Sequence, residues 1–75
     1  MSNRVSYTEQ FAKEWFDSSG IPIENYWVEI CNGQECLSYK LQDGKQFDLI
    51  VEISELNQAL CKYIKKHGKV INLDE

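Results

Sequence analysis

The chain has 75 residues, which is the size of one domain, residues 1–75, built around a single small core. Hydrophobic residues make up 43% of it and aromatic residues 12%, a composition that excludes a disordered chain. The net charge is −4, the first residues carry no apolar signal region, and no apolar run approaches the ~18 residues that span a bilayer, so we expect a cytoplasmic protein without membrane contact.

The first predicted element is an amphipathic helix. Ser6 or Thr8 would cap its start, with Glu9 as a capping-box partner, and the helix would end at Ser18-Ser19-Gly20. Its apolar side chains share one half of the helical wheel, and we expect them to form core: Tyr7, Phe11, Ala12, Trp15 and Phe16. Ile21-Pro22-Ile23 then predicts an extended connector, because proline disfavours a helical residue before it.

Three runs of alternating apolar and polar residues follow, and they predict an antiparallel meander of three strands. The runs are Asn25 to Cys31, Cys36 to Leu41 and Gln46 to Ile53. One face of the predicted sheet, called here the inner face, would carry the apolar set: Tyr26, Val28, Ile30, Leu37, Tyr39, Leu41, Phe47, Leu49, Val51 and Ile53. We expect the helices to cover it.

The first hairpin can close in two ways. A two-residue turn at Asn32-Gly33 would pair Ile30 with Glu35, against the apolar pattern. We therefore favour a four-residue loop over residues 32–35. That loop gives these pairs: Cys31 with Cys36, Ile30 with Leu37, Val28 with Tyr39, and Trp27 with Lys40.

The second hairpin favours a three-residue loop, Gln42-Asp43-Gly44, with Gly44 in the left-handed conformation. This loop places Tyr39 opposite Phe47 and Leu37 opposite Leu49. Both hairpins then present one apolar face.

A second amphipathic helix is predicted after the meander. Ser54 would cap it, Glu55 suits its first turn, and His67-Gly68 would end it. Its buried stripe would be Leu56, Ala59, Leu60, Tyr63 and Ile64. Val70 to Leu73 would form either a short fourth strand or an ordered tail. The sequence thus predicts an α+β two-layer sandwich in the order αβββα, with both helices on one sheet face.

The cysteines offer two chemistries, metal ligation and a disulfide. Cys31, Cys36, Cys61 and His67 have the ligand count of a zinc site, but the hairpin thiols would point away from the second helix, so we expect no metal and no cofactor. A disulfide between Cys31 and Cys36 is geometrically possible but would be labile in a reducing cytoplasm, and their oxidation state stays open.

Catalysis and nucleic-acid binding both have little support in the sequence. The single His67 lies at a lysine-rich helix end, and no serine or cysteine has an evident base partner, so we expect no enzyme. Four lysines follow helical spacing: Lys62, Lys65, Lys66 and Lys69. Contact with nucleic acid or anionic lipid is one interpretation of this stripe, but a solvated face is favoured, because the helix dipole alone favours lysines near a C-terminus. The element order resembles the double-stranded RNA-binding domain, but Glu52-Ile53-Ser54-Glu55 stands where that family is basic, and the assignment is rejected.

The outer sheet face is the predicted site. It would carry an exposed Trp27 and Ile50 within a charged rim of Glu29, Lys40, Asp48 and Glu52, which is typical of a protein interface. The plainer interpretation is a solvated face with Lys40 over Trp27. We expect a small acidic, non-enzymatic protein-binding module, regulatory or inhibitory, and the prediction includes self-association into a homodimer.

The alternative function differs in kind. An acidic chain could imitate nucleic acid and block a nucleic-acid-binding protein. The acids that would serve this function are Glu9, Glu14, Asp17, Glu24, Glu29, Glu35, Asp48 and Glu52. Steep loss of binding with salt would identify such a mimic.

Overall fold

The computed structural model describes residues 6–73, and the remaining ends of the predicted domain 1–75 lie outside this part. Its elements follow the predicted order, so the α+β class is confirmed. They are α1 (Glu9–Ser18), β1 (Ile23–Cys31), β2 (Gln34–Leu41), β3 (Gln46–Ile50), a short 3-10 helix (Val51–Ile53), α2 (Glu55–His67) and β4 (Lys69–Asn72).

The sheet is mixed, with the strand order β3-β2-β1-β4. The first three strands form the antiparallel meander, and β4 runs parallel to β1, with Val28 paired to Val70. The Leu73 N–H continues this ladder by donating to the Ile30 carbonyl at 2.8 Å. Of the two alternatives for the last segment, the fourth strand is therefore the one that forms.

Local capping rules set the helix ends as predicted. The Thr8 hydroxyl accepts from the Phe11 N–H at 3.2 Å, and the Ser54 hydroxyl accepts from the Asn57 N–H at 3.1 Å. The Gly68 N–H donates back to the Ile64 carbonyl at 2.6 Å, which closes α2. Neither helix of the described part is long and apolar enough to cross a membrane.

Both helices lie on one face of the sheet. Phe16 of α1 stacks on Tyr26 of β1 at 4.9 Å between ring centroids, and Tyr63 of α2 lies 6.2 Å from the same ring. The buried cluster comprises Ala12, Val28, Leu37, Val51, Ala59, Leu60, Cys61, Tyr63 and Ile64. In α1 only Ala12 is buried and Phe11 is exposed, so the expected aromatic core of this helix is only partial.

The predicted register of the first hairpin is wrong by two residues. Asn32 and Gly33 form a two-residue turn with φ of +54° and +75°, the sign that tight hairpin turns require. The observed pairs are Cys31 with Gln34, Ile30 with Glu35, Val28 with Leu37, and Trp27 with Ser38. Because the shift is even, every side chain of β1 and β2 keeps its predicted face.

Glu35 explains why the tighter turn is tolerated. It lies opposite Ile30 on the inner face, where α2 supplies partners for its carboxylate. Lys65 forms an ion pair with it, and the Cys61 thiol lies 3.5 Å from the same oxygen. A charged residue in an apolar stripe is stable when it is paired in this way.

The second hairpin has the predicted register, with Tyr39 opposite Phe47 and Gly44 at φ +94°. The third strand, however, ends at Ile50, because the chain turns there to reach the Ser54 cap of α2. Val51 is still buried, but Ile53 is 74% exposed, so its expected place on the inner face is wrong.

Candidate interaction surface

The outer face is the sheet surface opposite the two helices. Strand pairing arranges its side chains in two rows that cross all four strands, in the order β4, β1, β2, β3. The tryptophan row consists of Lys69, Trp27, Ser38 and Asp48. The glutamate row consists of Ile71, Glu29, Cys36 and Ile50. The structure thus brings four of the six predicted site residues into two adjacent rows.

Trp27 lies on the predicted face, but its expected exposure is wrong. Only 9% of the residue is accessible, although α1 and α2 lie on the opposite face of the sheet. Its cross-strand neighbour Ser38 is fully buried, so these two residues form a closed floor at the centre of the face. Trp27 therefore supports the surface rather than projecting from it.

Two carboxylates are fixed on this floor. The Trp27 indole N–H donates to Glu29 Oε1 at 2.8 Å, and the Ser38 hydroxyl donates to Asp48 Oδ1 at 2.6 Å. Hydrogen bonds to charged acceptors are shorter and stronger than neutral ones, so they restrict the rotamers of both acids. The outer face consequently presents two oriented negative charges.

Exposed apolar surface lies at both ends of the glutamate row. Ile50 on β3 is 41% exposed, and Ile71 on β4 is 37% exposed, with half-buried Glu29 and Cys36 between them. Sequence reasoning missed Ile71, since the pairing partner of the last strand could not be read from local pattern. Its alternation within residues 70–73 was the available signal.

The two remaining predicted site residues, Lys40 and Glu52, lie in different parts of the structure. Lys40 is half-buried on β2, opposite Asn25 and Gln46, so it borders the tryptophan row as expected. Glu52 lies in the short 3-10 helix and lines a cleft with Cys61 on the helix side. Its predicted place on the outer face is wrong, because β3 ends before it.

The cysteines are free thiols in the structure and lie on both sides of the sheet. Cys31 faces Gln34 and Cys36 faces Glu29, so the two hairpin thiols are diagonal neighbours. Diagonal positions are about 7–8 Å apart, wider than a disulfide allows, so the expected opposite placement is wrong. Across residues 6–73, no group of three His, Cys, Asp or Glu side chains is placed to hold a metal ion.

We expect the thiols to react in the order Cys31, Cys36, Cys61. Cys31 is exposed, burial raises the pKa of the Cys36 thiol, and burial raises the pKa of the Cys61 thiol to about 11. Because the thiolate is the nucleophile, iodoacetamide at about pH 8 should modify Cys61 at least roughly tenfold more slowly than Cys31.

Peptide mass spectrometry over a time course measures the three rates. In denaturant, all three thiols should react at similar rates, which serves as the control. Equal rates for Cys31 and Cys61 in the folded protein would contradict the burial of α2 against the sheet.

The lysines of α2 are partly neutralised by acids from other elements. The hydrogen bond from Lys65 lowers the pKa of the Glu35 carboxyl. Glu9 of α1 lies 3.5 Å from both Lys66 Nζ and His67 Nε2. These contacts connect α2 to β2 and α1, which supports a structural role for the lysine side of α2.

Clefts on the described residues are small. Four of them have volumes of about 200, 260, 270 and 200 Å³, below the ~300–1,000 Å³ of typical small-molecule sites.

Comparisons of the chain with protein-family models, with curated proteins and with solved structures found no match.

Proposed function

We propose that the chain is a small non-enzymatic protein-binding module, regulatory or inhibitory, that binds its partner through the outer face. The observation that carries the proposal is the combination of oriented carboxylates on Glu29 and Asp48 with exposed Ile50 and Ile71 on one face of the sheet. Apolar contacts framed by fixed polar groups are the usual anatomy of a protein interface. Three free thiols fit a reducing compartment, so we place the protein in the cytoplasm.

The partner surface should carry apolar side chains that reach both isoleucines and basic groups that reach the two acids. Trp27 contributes by holding Glu29 in place, and its indole N–H is already used by that contact. The tethered acids cost little conformational entropy on binding, since their rotamers are already restricted.

The acidic-mimic alternative is weaker because several of its acids are paired within the chain. Asp17 accepts from Lys13 at 2.7 Å, Glu35 pairs with Lys65, and Glu9 lies beside Lys66. The acids that form no ion pair within residues 6–73 do not share a single face, since Glu14 lies on α1 and Glu29 on the outer face.

Ile50→Asp should remove partner binding, whereas Ile53→Asp should leave it intact. Both isoleucines are exposed, and the chemical change is identical, but only Ile50 lies on the outer face. We expect captured partner to fall at least roughly tenfold with Ile50→Asp, because a new charge is desolvated within an apolar contact.

The measurement is quantitative mass spectrometry of proteins retained from native lysate on the immobilised wild type and on the two variants. It is repeated at about 50 mM and about 500 mM salt, and the outer-face contact, with two acids beside apolar surface, predicts a shallower salt dependence than the acidic mimic. Equal retention by all three proteins would reject the surface, and steep loss at high salt would favour the acidic mimic.

A further inference from the structure

The strand β3 forms an open edge of the sheet that carries little protection against pairing. All five of its residues are exposed, and the large apolar ones are Phe47, Leu49 and Ile50. Natural edge strands are commonly guarded by lysine, proline or a covering element, and Gln46–Ile50 contains neither residue. Asp48 is the one charged residue within the strand, and Lys45 directly precedes it.

Among residues 6–73, the main contacts of α2 with the sheet are to β1, β2 and β4, and α2 reaches the end of β3 through the hydrogen bond from the Asn57 side chain to the Ile50 carbonyl. The inner side of β3 around Phe47 lies outside these contacts. Phe47 is 43% exposed there and stacks on Tyr39 with 5.4 Å between ring centroids. An incoming strand could therefore approach this edge without meeting a helix.

The hydrogen-bond pattern fixes which backbone groups point outward. The Leu41 N–H donates to the Lys45 carbonyl at 2.8 Å, so residue 45 faces β2. Alternation along an antiparallel ladder then directs the N–H and C=O of Phe47 and Leu49 toward β2. Those of Gln46 and Asp48 point to the free edge, and so does the Ile50 N–H, whereas the Ile50 carbonyl accepts from the Asn57 side chain at 3.2 Å.

The best occupant of this edge is a second copy of the chain, related by a two-fold axis. An axis at Asp48 would place two Asp48 carboxylates opposite each other, which destabilises a strand pair. An axis at Leu49 would place Asp48 opposite Ile50 and direct Phe47 beyond the end of the second strand. An axis at Phe47 places the amide of Gln46 opposite the second copy's Asp48, where it can donate to the carboxylate.

We propose that two copies of the chain pair through β3, antiparallel, about a two-fold axis at Phe47. The pairing joins the two sheets into one of eight strands and uses both outward groups of Gln46 and of Asp48 in each copy. On the inner side, the Tyr39–Phe47 stack of one copy meets that of the other across the axis. This proposal does not depend on the partner-binding role of the outer face.

Amide hydrogen exchange measured by NMR tests both the pairing and its register. Between about 10 µM and about 1 mM, the range expected for a small interface, the Gln46 and Asp48 amides should become at least roughly tenfold more protected. The Ile50 amide should not change, because it would face the turn at Gly44. Joint protection of Asp48 and Ile50 would instead indicate the Leu49 axis and overturn the proposed register.

Sedimentation equilibrium measures the assembly itself. The mass should rise from 8.8 kDa toward twice that value and stop there, since a two-fold pair is closed. A constant mass across the range, or growth beyond two copies as in repeated β3-to-β4 pairing, would overturn the proposal.

Charge variants of Gln46 give opposite expected results. Gln46→Asp places a carboxylate opposite Asp48 of the second copy, and Gln46→Lys places an ammonium there. Each contact occurs twice, so we expect dimer dissociation constants about tenfold higher and about tenfold lower, respectively.

Gln42→Asp, in the exposed loop, is the matched control and should dimerise like the wild type. Gln46 is exposed, so circular dichroism should show unchanged folding in both variants. Equal dissociation constants for Gln46→Asp and Gln46→Lys would rule out the Gln46–Asp48 pairing.

Discussion

Trp27→Ala should destabilise the fold by about 3 kcal/mol, the usual cost of truncating a buried tryptophan. The residue is 9% exposed and holds Glu29 through its indole N–H at 2.8 Å, so its loss opens a cavity at the centre of the outer face and frees a carboxylate. A domain of this size has a net stability of roughly 3 to 5 kcal/mol, and the variant should therefore be largely unfolded at 37 °C, or about 310 K.

Urea denaturation followed by far-ultraviolet circular dichroism measures this change. Trp27→Phe is the informative control, since it removes the hydrogen bond to Glu29 but keeps an aromatic ring in the floor and so leaves a smaller cavity than alanine does. It should cost about 1 kcal/mol. If Trp27→Ala changed the unfolding free energy by less than about 0.5 kcal/mol, the burial of Trp27 would be contradicted, and the side chain would instead be an exposed binding residue.

Ile64→Ala should be comparably severe, at about 2 to 5 kcal/mol, because Ile64 is fully buried in α2 at the centre of the core. Ile53→Ala makes the same chemical change at a 74% exposed position and should alter the unfolding free energy by less than about 0.5 kcal/mol. Because both variants replace isoleucine by alanine, a difference between their unfolding free energies reports the burial of the substituted residue.

Thermal and urea denaturation of both variants provide the comparison. If the two substitutions had equal effects, the placement of α2 against the sheet would be wrong. A large effect of Ile53→Ala alone would show that the third strand continues through residue 53, as its alternation had suggested.

Features fixed by neighbouring residues were predictable from the sequence. Thr8, Ser54 and Gly68 act within one helical turn, and the loop at Gly44 needs only a left-handed residue, so the helix ends and the second hairpin were placed correctly. The period of two likewise placed Trp27 on the correct face, because face depends on parity alone.

Features that depend on distant partners were not predictable. The alternating pattern predicts a wider loop for the first hairpin, because it pairs Ile30 with an apolar residue. The observed pairing of Ile30 with Glu35 depends on Lys65 and Cys61 of α2, which are distant in the sequence. The prediction that Trp27 is exposed is wrong for a related reason. Parity identifies a face but does not show how closely the neighbouring side chains cover it.

The candidate site was predicted in part. Glu29, Asp48 and Ile50 lie together on the outer face, but Glu52 lies in the 3-10 helix between β3 and α2 and is not part of this face. Ile71 could not be added from sequence, since a parallel strand beside β1 leaves no short-range turn signal.

The parallel pairing of β4 with β1 also has a consequence for folding. Val70 is separated from its partner Val28 by more than half of the chain, so the ladder closes only after the meander and α2 have formed. During synthesis, the side of β1 that pairs with β4 stays open until residues 69–72 have left the ribosome. A nascent chain is then open to aggregation along the strand that carries Trp27, and it should benefit from a chaperone at that stage.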